Sequence, residues 1–157
     1  KGGGHNAAAG FSIKKDKLDE LNFHINSTFI KKMKNKYIKD LIHIDAIISP
    51  NALNLNFYNE INNLSPFGNG NKEPTFLIEN LKVIKFQIIK EKHISAILLS
   101  KNGKSIKSIS FNSVNTEIGS YLVSNKKYNL NVVGKLILNK WNGINRIEFN
   151  INDIALN

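Results

Sequence analysis

The sequence predicts an α+β fold. A short N-terminal strand-and-helix segment precedes a small antiparallel β domain, closed as a partly open five-stranded barrel with inserted helices. Three observations carry this. Residues 16–36 repeat apolar side chains at three- and four-residue spacing, the period of a helix. From residue 76 the chain reads mostly as strand. Two Asn-Gly pairs, Asn102-Gly103 and Asn142-Gly143, mark tight hairpins between those strands.

The elements follow in order. Residues 11–13 read as the end of a short strand. The helix over 16–36 aligns Leu18, Leu21, Ile25, Phe29 and Met33 on one face. Asp16 is placed to cap it, with Asp19 and Glu20 near its positive end. Lys31, Lys32, Lys34 and Lys36 lie near its negative end, where a lysine run is a solvated helix end. "LIHIDAIIS" alternates Ile42, Ile44, Ala46 and Ile48 and reads as a strand. A second helix over 49–64 has Ser49 as N-cap, Pro50 at its first position and a Leu53, Phe57, Ile61, Leu64 stripe. Pro66, Gly68, Gly70 and Pro74 then impose a loop. Strands are expected over 76–90, 93–100, 104–111, 127–139 and 144–151. A short helix over 114–123 aligns Val114, Ile118, Tyr121 and Leu122, against the preference of Gly119.

The 157 residues suffice for a real core without covalent staples. Cysteine is absent, which excludes disulfides and thiolate metal sites. No run of about 18 apolar residues occurs, so no transmembrane helix is expected. The N-terminus lacks the apolar core of a signal peptide. The reading is a cytoplasmic protein with no membrane partner. The net charge of +10 favours an anionic partner, with nucleic acid the commonest. Arg146 is the only arginine. Heavy use of Lys, Asn and Ile matches the drift of an AT-rich genome, which accounts for Lys over Arg but not for the cation excess.

"KGGGHNAAAGF" opens the chain. Successive glycines let a backbone approach a ligand, and their N–H groups cradle an anion. A helix starting at "NAAA" would add its positive end, and His5 would donate to a phosphate oxygen. By composition alone the stretch also fits a flexible terminus or a tag scar. "FGNGN" lacks both the Lys-Ser/Thr of a P-loop and the third glycine of a dinucleotide site, and reads as a rigid turn. His24, His43 and His93 are scattered singly and read as packed or surface residues.

Three motifs in order carry a family resemblance over nearly the whole chain. "GGGHNAAAGF" before an amphipathic helix resembles the substrate-binding motif of the DHH-associated domain, the C-terminal half of the DHH phosphoesterase core. "LSPFGNGNKEPTF" (64–76) resembles a loop of RecJ-type single-stranded-DNA exonucleases, and "NKWNGINRIEFNINDI" (139–154) the closing hairpin of their oligonucleotide-binding (OB-like) domain. Departures are Asn6-Ala7, where the family usually carries a methionine, and Lys72, where it usually has Pro. The resemblance divides the chain into the C-terminal end of a DHH-associated domain, 1–39, and an OB-like domain, 40–157. It implies that the chain begins mid-domain and is the substrate-binding portion of a 5′→3′ exonuclease of DNA repair and recombination. Gly3, Gly4 and His5 would hold a substrate phosphate. Mn²⁺ or Mg²⁺ would be bound by an N-terminal DHH domain, in the same or a separately encoded chain. No catalytic or metal-binding residue is expected here, and the chain alone is expected to be inactive. A related glycine-rich motif occurs in alanyl-tRNA synthetases, but the β domain argues against that relative.

Single strands are bound by stacking platforms and a cationic groove. Trp141, at the tip of the 139–146 hairpin between Lys140 and Arg146, is the first stacking candidate; Phe111, Tyr121 and Tyr128 follow. Ordinary hairpin packing, with an aromatic beside an Asn-Gly turn, is the favoured reading of Trp141 on the residues alone. Lys101, Lys104 and Lys107 flank the other hairpin, where they would meet phosphates or discourage edge pairing. The alternative function is a stand-alone, non-catalytic single-stranded nucleic-acid-binding module.

Overall fold

The computed structural model describes residues 1–6, 8–33, 41–124 and 128–157, and not the side chain of Trp141. The chain forms two compact units, Lys1–Leu41 and Ile42–Asn157.

In the first unit β1 (Gly2–His5) pairs antiparallel with β2 (Ala8–Phe11). This corrects the helix expected at "NAAA". Ala8 and Ala9 enter a ladder with His5 and Gly4, because the glycine backbone opposite leaves them room. The strand expected at residues 11–13 is the end of this hairpin, and it stops at Phe11. A 3-10 turn (Lys15–Lys17) then leads into α1 (Leu18–Met33). Lys14 occupies the N-cap position without a side-chain bond, so Asp16 does not cap; it lies inside the 3-10 turn. Leu18, Ile25 and Phe29 are exposed. The expected extension of the helix through residue 36 falls outside the described residues.

In the second unit β3 is only Ala46–Ile47, parallel to Phe76–Leu77, rather than the longer strand expected over "LIHIDAIIS". Its flanks add two bonds, Asp45 N–H to Thr75 C=O and Ile48 N–H to Leu77 C=O. The helix expected over 49–64 is split. Ser49 caps a 3-10 turn (Pro50–Ala52), and Asn54 caps α2 (Leu55–Asn62), its side chain accepting from Phe57 N–H at 3.0 Å. In the loop that follows, Asn71 Nδ2 donates to the carbonyls of Leu64 and Pro66, and Gly68 and Asn71 exchange backbone bonds, so "FGNGN" forms a turn.

Five strands close the barrel: β4 (Phe76–Ile89), β5 (His93–Ser100), β6 (Ser105–Ser110), β7 (Leu130–Trp141) and β8 (Ile144–Leu156). The order is β4-β5-β6-β8-β7, and β7 returns to β4. All pairings in the barrel are antiparallel except β6 with β8. The parallel closure makes the sheet mixed, where an antiparallel one was expected. α3 (Glu117–Val123) connects β6 to β7, with Thr116 accepting from Gly119 N–H.

The interior follows from strand alternation. Ile94, Ala96 and Leu98 of β5 point inward, facing Ile106 and Ser108 of β6 and Phe149 of β8. Ser108 is fully buried opposite Phe149, a small residue beside a large one, and its hydroxyl donates to Ala96 C=O at 2.9 Å. Each buried Leu, Ile or Phe stabilises the barrel by roughly 1.5–3 kcal/mol. Both Asn-Gly pairs form the expected hairpins. Asn142 (φ 50°) and Gly143 (φ 74°) make a two-residue turn of the primed type. Gly103 (φ 79°) closes the other, its N–H donating to Ser100 C=O.

Candidate nucleic-acid interface

β6 and β8 are in register only at Ser108–Phe149 and Ile109–Asn150. Near the other end of β6 a cleft of about 350 Å³ is lined by Lys104, Lys107 and Arg146, over an apolar floor that includes Pro50, Leu53 and Ile97. Lys104 and Lys107, close together in sequence, therefore meet the distant Arg146 on one side of the barrel. Alternation explains the display: Ile106 and Ser108 point into the core, so Lys107 points out.

Lys107 is not a free charge. Its ammonium lies 2.7 Å from Glu148 Oε1, and the Glu148 side chain is only 5% exposed. The same oxygen accepts from Asn139 Nδ2 at 2.7 Å. Glu148 was not legible as part of this site. Its neighbour Lys107 arrives only through the parallel β6–β8 pairing, and no local pattern encodes that contact. Lys104 and Arg146 have no ion-pair partner among the described residues.

The other predicted residues lie elsewhere. Lys140 is exposed on β7 opposite Asn145, and does not line the cleft. The backbone of Trp141 pairs with Ile144 at the hairpin tip; its side chain lies outside the described residues. Lys101 faces a separate cavity of about 380 Å³ with Asn80, Lys82 and Asn129. Tyr121 and Tyr128 meet edge to face at 6.0 Å and pack against the core. The Tyr121 hydroxyl donates to Glu117 Oε1 at 3.0 Å, and this bond, with the carboxylate's charge, pushes the phenol pKa up. Phe111 stays 51% exposed.

Gly3, Gly4 and His5 lie on β1 in the N-terminal unit, all exposed. A Cβ on Gly4 would sit 2.6 Å from Ala8 O and 2.7 Å from Ala9 Cα, so the hairpin requires glycine there. A Cβ on Gly3 would meet nothing within 4 Å, so packing does not dictate that glycine. Among the described residues β1 has no strand on its outer edge.

The barrel order, the parallel closure and the helix between the third and fourth barrel strands are the marks of an OB-fold. The family model of the RecJ OB domain matches residues 44–153. The chain belongs to the RecJ OB domain family. It is similar to the single-stranded-DNA-specific exonuclease RecJ of Bacillus subtilis (strain 168), with 23% identity over 156 residues, 98% of this chain and 19% of that protein. RecJ of Thermus thermophilus in complex with Mn²⁺ superposes with a TM-score of 0.67 at 20% identity, over 99% of this chain and 22% of that one. The same protein in complex with Mg²⁺ gives 0.65 at 21% identity, over 98% and 22%. The chain thus spans about a fifth of the length of these RecJ relatives. Among the described residues no three His, Cys, Asp or Glu side chains come together to hold a metal ion. Nor is any described helix long and apolar enough to cross a membrane.

Proposed function

We propose that this chain is the substrate-binding portion of a RecJ-like exonuclease that degrades single-stranded DNA from its 5′ end in repair and recombination, in the cytoplasm. The observation that carries the reading is the cleft of Lys104, Lys107 and Arg146 on an OB barrel of the RecJ family. Cations spaced along a barrel face meet successive phosphates, and exposed aromatics stack the bases between them. Lys140 and Trp141, at the tip of the β7–β8 hairpin, extend that track. In the N-terminal unit, the open edge of β1 at Gly3, Gly4 and His5 holds a substrate phosphate, the Gly4 N–H facing away from the ladder with β2. Glycine at position 3, where no packing requires it, keeps the backbone open to a ligand.

The partner is a DHH domain supplied by the same or another chain, which binds Mn²⁺ or Mg²⁺ and supplies the hydrolytic chemistry; this chain's residues bind and orient the strand. Titration of the purified 157-residue chain with fluorescent oligonucleotides tests the reading. Single strands are expected to bind more tightly than duplex, and to remain uncut in Mn²⁺. Equal affinity for duplex overturns the binding role. Cleavage by the chain alone overturns the division of labour. If an added DHH domain neither binds the chain nor gains activity from it, a stand-alone binding module replaces the exonuclease reading.

A further inference from the structure

The end of β6 away from the cationic cleft carries a different chemistry. Phe111 follows directly on β6 and keeps about half of its surface in solvent (51%). Its ring is braced by His93 at a centroid distance of 5.3 Å and an interplanar angle of 75°. His93 is held in turn, its Nδ1 accepting the Asn112 N–H at 2.9 Å. Beside Phe111 lies a pocket of about 240 Å³ with no charged residue in its lining. Asn112, Asn150 and Asn152 line it, and none of their side-chain amides has an intramolecular hydrogen bond among the described residues. Ser113 and Thr116, by contrast, already donate to backbone carbonyls.

We propose that Phe111, braced by His93, is a stacking platform for one base of a bound single strand, and that the carboxamides of Asn112, Asn150 and Asn152 hydrogen-bond the edge of that base. An exposed aromatic face and uncommitted amide donors and acceptors match a neutral, planar, polar ligand. A phosphate would find no cation in this pocket. Lys107 lies four residues before Phe111 along the strand, about 13 Å at the strand rise. A short stretch of extended strand therefore reaches both, with a phosphate at the cleft and a base at Phe111. The assignment rests on the single-strand-binding reading above.

The test compares oligothymidylate with an abasic strand of equal length, each bound to the full chain. The wild type is expected to prefer the base-bearing strand by about fivefold or more, the lower end for one stacked base. Phe111→Ala is expected to lower that preference by at least about fivefold, one base's share, while leaving the salt dependence of binding unchanged. Phe111→Tyr is expected to retain the preference, and thermal melting of both variants confirms the fold. A preference left unchanged by Phe111→Ala in the folded protein overturns the platform. A wild type that binds both strands equally also overturns it, but leaves phosphate binding standing. A wild type that binds neither strand at low salt overturns the single-strand reading itself. Displacement of the strand by free thymidine monophosphate at matching concentration overturns the strand assignment in favour of a mononucleotide site.

Discussion

Glu148 places a carboxylate in a nearly closed position, with Lys107 and Asn139 both reaching one of its oxygens. A buried carboxylate is costly unless it is paired and hydrogen-bonded, and this one is both. Its charge also offsets part of the cation density that the strand would meet. The two roles separate on mutation. Glu148→Gln is expected to lower stability by about 1–3 kcal/mol in urea unfolding, because the charge-assisted bond to Lys107 is lost. It is also expected to strengthen single-strand binding at low salt, because Lys107 is released to face phosphate. A variant weakened in both respects would show that the pair shapes the cleft rather than tuning its charge. Gly4 makes the complementary point about legibility. Its place in a ligand-facing motif could be read from "GGGH", but the close approach of Ala9 that demands a glycine there appears only in the folded hairpin.

Among the elements, α3 best separates local preference from packing. Glycine disfavours a helix by about 1 kcal/mol relative to alanine, so propensity alone predicts that Gly119→Ala stabilises. The folded chain predicts the reverse. A Cβ at Gly119 would lie 2.0 Å from Ser113 O, and that carbonyl is held by the Thr116 hydroxyl at 2.7 Å. Gly119→Ala is therefore expected to destabilise by about 1–3 kcal/mol as an overpacked site, read as a lower denaturant midpoint. β4 shows a second kind of limit. Its N-terminal part is flanked by β3 and β7, and from Leu81 it pairs with β5. Asn80 (φ 57°) sits at the change of partner, a left-handed position that asparagine tolerates. The alternation of "LIHIDAIIS" foretold an extended segment, but β4 has one short stretch of edge to offer it, so only Ala46–Ile47 pair.

The whole molecule carries +10, and its binding is expected to be electrostatic in the main. For single strands log K falls with log salt at about −0.7 per neutralised phosphate. Lys104→Ala and Arg146→Ala are each expected to reduce the slope by about 0.7 with little loss of stability, since neither is buried or ion-paired among the described residues. Measuring affinity across a salt series checks this. An unchanged slope in both variants would remove the cleft from the phosphate track.

The sequence by itself determined the strand-rich C-terminal barrel, its Asn-Gly hairpins, the α1 and α3 helices and the cationic character, because each is written in local periodicity, turn chemistry or charge. The motif triplet also led to the RecJ family. Only the tertiary structure decided that β6 closes parallel on β8, bringing Lys104, Lys107 and Arg146 to one cleft and setting Glu148 against Lys107. It alone decided that "NAAA" leads into a strand. The physical reason is common to these cases. A ladder between residues distant in sequence is selected by the burial and pairing of both partners together, and neither segment alone specifies which neighbour satisfies it.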